Sequence, residues 1–208
     1  MRLKACILII LFVLTGCFAE SKETTSPERE SSPANIELVP VDLFKGEAAK
    51  FQPFLGPMSG AFKLKYEGSK PNANLDIDIW KDGRSVESAG SIGDLFYSPD
   101  EQSNNEVEVI ISIDTVTMGE KDESAIIKIS TIGRSGSSLL TFQIPWDKKL
   151  TARGLIQDAE PRSFTADQAV HVFGMQATSS NTMRTSDLST ESLSQTKWAL
   201  VFTLQFEE

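Results

Sequence analysis

Two aspartates, Asp76 and Asp78, have the spacing that carboxylate chemistry would need. Residues two apart on a β-strand point to the same face, so their carboxyl groups would lie about 6 to 7 Å apart. Glycosidases cleave sugars with two carboxyl groups at separations of this order. The solvent-exposed face of a half-buried strand presents the same pattern. We favour this interpretation, in which the carboxylates are solvated surface groups, for this pair and for Glu106 and Glu108. A carboxylate-dependent glycan hydrolase is therefore one hypothesis for the function.

Trp80 shares strand parity with Asp76 and Asp78, opposite the three aliphatic residues of the same run. An exposed tryptophan beside carboxylates could stack on a sugar or anchor a protein partner. In the interpretation that we favour, the segment 36–58 instead folds over this indole. Trp80, Asp76 and Asp78 are the candidate ligand-binding or partner-binding residues.

The chain has one histidine, His171, within Ala-Val-His-Val-Phe, and the pattern allows it to face either the core or the solvent. We interpret it as structural or solvated rather than catalytic. The sequence contains no Gly-x-Ser-x-Gly, His-Glu-x-x-His or glycine-rich phosphate-loop motif, and no second imidazole for a zinc site. We therefore assign no catalytic residue, no metal ligand and no cofactor.

The segment 100–106, Asp-Glu-Gln-Ser-Asn-Asn-Glu, is as rich in oxygen ligands as a calcium-binding loop. An EF-hand loop needs glycine at its sixth position and glutamate at its twelfth, where this chain has Asn105 and Ile111. We interpret the segment as an ordinary polar loop.

The chain is acidic, with a formal net charge of -9 at pH 7. Such a surface repels the phosphates of nucleic acids and of anionic lipid head groups. Nucleic acid is therefore excluded as a partner, whereas a protein, a cell-wall glycan or a small ligand remains open.

A short apolar leader opens the chain. Two basic residues precede the apolar run 5–14, and Thr15 and Gly16 then lead to Cys17. This order of basic, apolar and small residues is that of a secretory signal. A membrane-spanning helix needs about 20 apolar residues, so the run is too short for a permanent anchor.

The motif Leu14-Thr15-Gly16-Cys17 resembles the lipobox of bacterial lipoproteins, and this resemblance covers the first 17 residues. It implies that a signal peptidase recognises Leu14, Thr15 and Gly16, that the chain is cut before Cys17, and that Cys17 becomes acylated. Two or three acyl chains hold a protein stably on a bilayer, whereas one holds it marginally. The lipid bilayer would thus be a partner, and the protein would lie on the extracytoplasmic face of the cell membrane or the outer membrane.

The stretch 19–35 contains no large apolar residue and cannot bury enough surface to offset the entropy cost of ordering. The predicted organisation is a signal peptide (1–16), an acylated cysteine with a disordered tether (17–35) and a single β-rich domain (36–208). Cys6 lies in the leader, so the mature chain would keep one cysteine and form no internal disulfide.

Apolar and polar residues alternate repeatedly from residue 59 onward, which predicts half-buried strands. The runs with this alternation, or with many β-branched and aromatic residues, are 62–67, 75–79, 106–114, 124–132, 139–144, 169–175 and 197–206. Asp82-Gly83 and Gly133-Arg-Ser-Gly136 have the residue types of tight hairpin turns. Short helices are predicted near 41–51 and 187–196.

Frequent strands joined by short turns predict a mainly β fold: an antiparallel β-sandwich, or a partly open barrel, of about eight to ten strands with one or two short helices. The folded part is similar in architecture to β-rich lipoproteins of bacterial envelopes. The leading functional hypothesis is a non-enzymatic binding or interaction module on the envelope, with the glycan hydrolase as the alternative. A solute-importer receptor is disfavoured, because two-lobed receptors are larger and carry a βαβ pattern.

Overall fold

The computed structural model describes residues 33–98, 105–118, 122–180 and 182–207. The leader, Cys17, most of the predicted tether and most of the polar segment 100–106 lie outside these residues. The described part of the chain contains eleven strands. They are β1 (Asn35–Val41), β2 (Ser59–Glu67), β3 (Asn72–Lys81), β4 (Arg84–Ile92), β5 (Glu106–Met118), β6 (Asp122–Gly133), β7 (Gly136–Trp146), β8 (Ala152–Ile156), β9 (Arg162–Thr165), β10 (Val170–Thr178) and β11 (Trp198–Glu207).

Short helices occur in the two places where the sequence predicts them. A 3₁₀ helix (Gly46–Phe51) continues directly into α1 (Gln52–Leu55), so this helical segment extends beyond the predicted end. Helix α2 (Thr190–Leu193) lies between β10 and β11, and the side chain of Ser189 caps it by accepting a hydrogen bond from the backbone N–H of Ser192. In the described ranges, no helix has the length and apolar character needed to cross a membrane.

The strands form two antiparallel sheets, which confirms the predicted sandwich. One sheet has six strands in the order β7-β6-β5-β2-β1-β9, and the other has five in the order β4-β3-β11-β10-β8. The total exceeds the predicted eight to ten because β4 is mostly exposed and polar, while β8 and β9 have only five and four residues. Such edge strands bury too little to show a clear alternation.

Apolar side chains from both sheets fill the space between them. Leu64 and Ile111 of the six-stranded sheet and Ile77 and Phe202 of the five-stranded sheet are all completely buried in one cluster. Each such side chain contributes about 1.5–3 kcal/mol on burial. The alternate residues of these strands therefore lie on the outer faces, as the sequence pattern predicts.

Both predicted hairpin turns are present. Asp82 and Gly83, with φ of 49° and 74°, join β3 to β4, and positive φ at both central positions is the geometry that favours Asp-Gly. Gly133 pairs with Gly136 across the turn from β6 to β7. These turns fix the register of the two edge strands β4 and β7.

The folded region begins slightly before the predicted boundary at residue 36. Strand β1 starts at Asn35, and Ala34 is already buried. The backbone N–H of Ala166 donates to the carbonyl oxygen of Ala34 at 2.8 Å. Ala34 and Asn35 therefore belong to the folded region.

Candidate functional site

Asp76, Asp78 and Trp80 lie on the outer face of β3, as their parity predicts. Asp76 stands opposite Thr203 on β11, and Asp78 stands opposite Val201, while the intervening residues of β3 point into the core. The structure thus brings the three candidate residues together on one sheet face.

The two aspartates have different surroundings. The hydroxyl of Ser91 on β4 donates to Oδ1 of Asp76 at 2.6 Å. Burial, and secondarily the charge of Asp76, raises the pKa of the Asp78 carboxyl above its ordinary value. A carboxyl with a raised pKa beside one that accepts a hydrogen bond is an arrangement that acid–base chemistry uses. Both groups nevertheless project from one strand and from the same side.

Trp80 is half-buried in a second, smaller apolar cluster on this outer face. Its neighbours there come from β8, from β11 and from the segment 182–196; they are Ile156, Leu188, Leu193, Ala199 and Val201. The indole Nε1 is buried and has no hydrogen-bond partner among the described residues. Trp80 therefore presents little free surface to a ligand.

The prediction that the segment 36–58 covers Trp80 is wrong, because Leu188 and Leu193 of the segment 182–196 lie there instead. Residues 35–41 form a strand of the other sheet. The end of α1 packs on that sheet too, where the hydroxyls of Ser59 and Ser112 donate to the carbonyl oxygen of Leu55 at 2.5 and 2.8 Å. We call the segment 182–196 the covering segment.

The hairpin turn between β3 and β4 holds the covering segment at its carboxyl end. The backbone N–H of Asp82 donates to Lys197 at 2.9 Å, and that of Gly83 donates to Thr196 at 3.0 Å. A Cβ atom on Gly83 would overlap the backbone carbonyl of Ser194. The turn and the covering segment therefore fit together only with glycine at position 83.

A β-bulge in β10 decides which way His171 faces. The register passes from His171 opposite Thr203 to Phe173 opposite Phe202, so Val172 is an extra residue and both Val172 and Phe173 enter the core. His171 consequently lies on the outer face, where its ring meets Trp80 edge-on with centroids 5.7 Å apart.

The surroundings of His171 favour a neutral ring. Its Nδ1 lies 2.9 Å from the hydroxyl of Thr203, and Nη2 of Arg162 donates to the His171 carbonyl oxygen at 2.5 Å. Burial, and secondarily the Arg162 charge, lowers the pKa of the imidazole below its ordinary value. The ring's two contacts described here, with Trp80 and with Thr203, are thus packing and hydrogen bonding within the five-stranded sheet.

The second carboxylate pair lies on the outer face of the other sheet. Nζ of Lys63 lies 3.3 Å from Glu106 and 3.8 Å from Glu108. Partly exposed ion pairs of this kind contribute about 0.2–1 kcal/mol each. This geometry accords with the solvated-face interpretation of the two glutamates.

A groove of about 560 Å³ opens where the inner face of the six-stranded sheet emerges from the core. One wall is the end of β6 and the start of β7, and the opposite wall is the end of β4 and the chain that follows it. The lining residues are 91–95, 97, 107, 131, 133, 135–138 and 140. Thr131 and Ser138 form a pair on the inner side, next to the core residue Ile129 and the partly buried Leu140. We call this cavity the mouth groove.

The loop that forms one wall of the mouth groove is held firmly. The backbone N–H of Leu95 donates to Ala73 at 2.8 Å, and that of Asp94 donates to the side chain of Asn74 at 3.1 Å. Phe96 is completely buried and meets Tyr66 edge-on at 5.0 Å. The next residue, Tyr97, is 68% exposed at the edge of the groove.

Sequence reasoning missed the mouth groove, although one signal was present. Along β6 and β7 the core-facing positions change from large apolar residues to Thr131, Gly133 and Ser138. Small polar residues at core-facing positions indicate a place where the opposing sheet no longer covers the strand. The described lining of the groove has no cluster of titratable side chains, which is the feature by which a sequence most readily indicates a site.

In the parts of the chain that the structure describes, no three His, Cys, Asp or Glu side chains are grouped so that they could hold a metal ion. No protein-family model, curated protein or solved structure gives a significant match to this chain. The function is therefore inferred from the residues and geometry of the chain itself.

Proposed function

We propose that this protein is a bacterial lipoprotein, anchored through Cys17 on the extracytoplasmic face of the cell membrane or the outer membrane, whose β-sandwich binds a ligand without transforming it. The lipobox-like residues 14–17 support the anchorage. The mouth groove is the observation that carries the binding role. Its volume of about 560 Å³ lies within the range of about 300–1,000 Å³ that is usual for small-molecule sites.

The side chains of the mouth groove support binding rather than catalysis. Its described lining includes serine and threonine hydroxyls but no histidine, cysteine or lysine that could serve as a base or a nucleophile. Asp94 is the one charged side chain in that lining, and its Oδ2 lies 3.4 Å from Nζ of Lys70. A hydroxyl without an adjacent base is a weak nucleophile but a good hydrogen-bonding group.

The anchorage is tested by replacing Cys17 with serine. We expect an unprocessed precursor that takes up no labelled fatty acid and is not extracted with detergent as an acylated protein. Cys6→Ser is the matched control, since Cys6 lies within the apolar run, and it should be processed and acylated normally. Labelled palmitate in the Cys17→Ser protein would refute the lipoprotein assignment.

The raised pKa of Asp78 beside Asp76 favours a second candidate, the carboxylate-dependent glycan hydrolase. That function predicts that Asp76→Asn abolishes the release of reducing ends from purified cell-wall glycan while the fold is retained. Glu108→Gln, on the outer face of the other sheet, is the matched control. Equal turnover by the wild type and Asp76→Asn would exclude this candidate.

A further inference from the structure

We propose that the mouth groove binds an uncharged oligosaccharide. The hydroxyl groups of the sugar form hydrogen bonds with the serines and the threonine of the groove, and one face of a sugar ring stacks on Tyr97. This inference rests on the proposed binding function, and it names the ligand class for the same groove. Charge, hydrogen-bonding capacity and the placement of Tyr97 each support it.

Charge selects against ionic ligands. The single acidic side chain of the lining, Asp94, is already paired with Lys70 at 3.4 Å, and the whole chain carries a formal charge of -9. An anionic ligand would meet Asp94 and a repulsive field, and the described lining offers it no cationic partner. A cationic ligand would compete with Lys70 for Asp94. The groove is thus complementary to a ligand without net charge.

Hydroxyl groups dominate the polar surface of the groove. Oγ1 of Thr131 and Oγ of Ser138 lie 2.7 Å apart, and either atom can be the donor. Ser135 and Ser137 are exposed beside this pair. A hydroxyl both donates and accepts, so a row of hydroxyls matches the hydroxyls of a sugar, which also do both. When a ligand hydroxyl extends a chain of hydrogen-bonded hydroxyl groups, each hydrogen bond in the chain becomes stronger.

Tyr97 supplies the apolar contact that sugar recognition also needs. Tyr97 is 68% exposed, although it directly follows the completely buried Phe96. Asp94 of the same loop adopts a positive φ of 38°, a strained conformation that the backbone bonds of Leu95 and Tyr97 maintain. A loop fixed in this way loses little entropy when a ligand binds, and a tyrosine offers a flat apolar face with a polar tip.

An extended peptide added to the edge of β7 is the main rival. Strand addition needs a run of free backbone groups along an edge. The groove borders only the first residues of β7, up to Leu140, whereas further along the strand the ring of Phe142 lies against Gly90 of β4. The part of β7 that borders the groove is therefore short, whereas a bound strand needs a long run of paired backbone groups.

The test is calorimetric titration of the full chain in detergent micelles with uncharged tetrasaccharides: β-1,4-linked glucose, α-1,4-linked glucose and β-1,4-linked N-acetylglucosamine. A galacturonic acid tetramer and an uncharged pentapeptide serve as comparison ligands. We expect at least one neutral sugar to bind and the charged tetramer not to bind. Tyr97→Ala should weaken that binding about tenfold, and Ser138→Ala should weaken it less.

Leu139→Ala is the matched control, because Leu139 follows Ser138 on β7 and is 67% exposed but does not line the groove. Its affinity for the sugar should equal that of the wild type, and all three variants should unfold at the wild-type temperature. Ser137→Trp, which fills the groove, should abolish binding.

Two results would overturn the saccharide proposal. If no neutral sugar binds at millimolar concentration but the pentapeptide binds and Tyr97→Ala abolishes this, the groove is a peptide site and the proposed binding function stands. If sugar binding survives both Tyr97→Ala and Ser137→Trp, the ligand lies elsewhere and the groove has no such role. Acylation at Cys17 is measured separately, so neither result bears on the membrane anchorage.

Discussion

Trp80 and Tyr97 lie in two regions of the molecule that differ both in residue type and in accessibility. The outer face around Trp80 carries aspartates, a histidine and a tryptophan, yet the covering segment packs on it and buries the indole nitrogen. The mouth groove around Tyr97 carries mostly hydroxyls and glycines, yet it is open and its tyrosine is 68% exposed. Residue type shows where chemistry could occur, whereas accessibility decides where a ligand can reach.

The largest effect is expected from Leu193→Ala in the covering segment. Leu193 is completely buried and packs in the cluster with Trp80, so its truncation should lower the free energy of unfolding by about 2–5 kcal/mol. Urea denaturation measures this change. Trp80 should also become accessible to iodide quenching, and this gain should vanish in the double variant with Trp80→Phe.

Leu139→Ala is the control for the same truncation at an exposed position, and its effect should stay within about 0.5 kcal/mol. A loss of stability in Leu193→Ala no larger than that of the control would show that the covering segment is only loosely docked. The two regions would then both be open, and the contrast between them would fail.

A smaller effect is expected from Gly83→Ala. Gly83 and Gly46 have similar positive φ values, 74° and 64°, but a Cβ on Gly46 meets no atom within 4 Å. Both variants lose the conformational freedom of glycine, whereas only Gly83→Ala also forces the turn away from Ser194. Gly83→Ala should therefore be less stable than Gly46→Ala by about 1–3 kcal/mol. If urea denaturation gives the two variants equal free energies of unfolding, the turn and the covering segment can separate without loss of stability.

The smallest effect is the pH dependence that His171 adds. Folding lowers the pKa of His171 below the ordinary histidine value of about 6.5. Near and below that pH the unfolded chain therefore binds more protons than the folded one, and the free energy of unfolding falls as the pH drops. The His171→Gln variant should lose this part of the decline. Asp78, whose pKa is raised, acts in the opposite direction, but it is present in both proteins and cancels in their difference. Parallel stability–pH curves for the two proteins would contradict the packing described for the ring.

The sequence predicts the framework of this fold well. Alternation along β2, β3 and β11 indicates their core faces, and Asp82-Gly83 indicates a hairpin because few other dipeptides accept positive φ twice. Strand β4 escapes notice because it is polar and contains two register shifts against β3. The parity of Trp80 is also predicted correctly, since it depends only on neighbouring residues.

What covers Trp80 could not be predicted in the same way. Its contacts with Leu188 and Leu193 join residues far apart in the chain, and two leucines in a polar segment give no direction to its packing. The bulge at Val172 likewise reverses the face of His171 without any local signal. The mouth groove depends on where the five-stranded sheet stops covering β6 and β7, which is a property of both sheets together.

Strand β1 gives the molecule a mechanical property. It lies between β2 and β9, paired with β2 from Asn35 to Val41 and with β9 from Asn35 to Leu38. If the domain is held from its amino-terminal side, a pulling force reaches β1 at Asn35, which is paired with both β2 and β9. A force along the strand loads these hydrogen bonds together rather than one after another, and resistance to such force depends on the unfolding rate. In a lipid-anchored protein, the pairing of β1 with β2 and β9 would therefore keep the domain folded under tension.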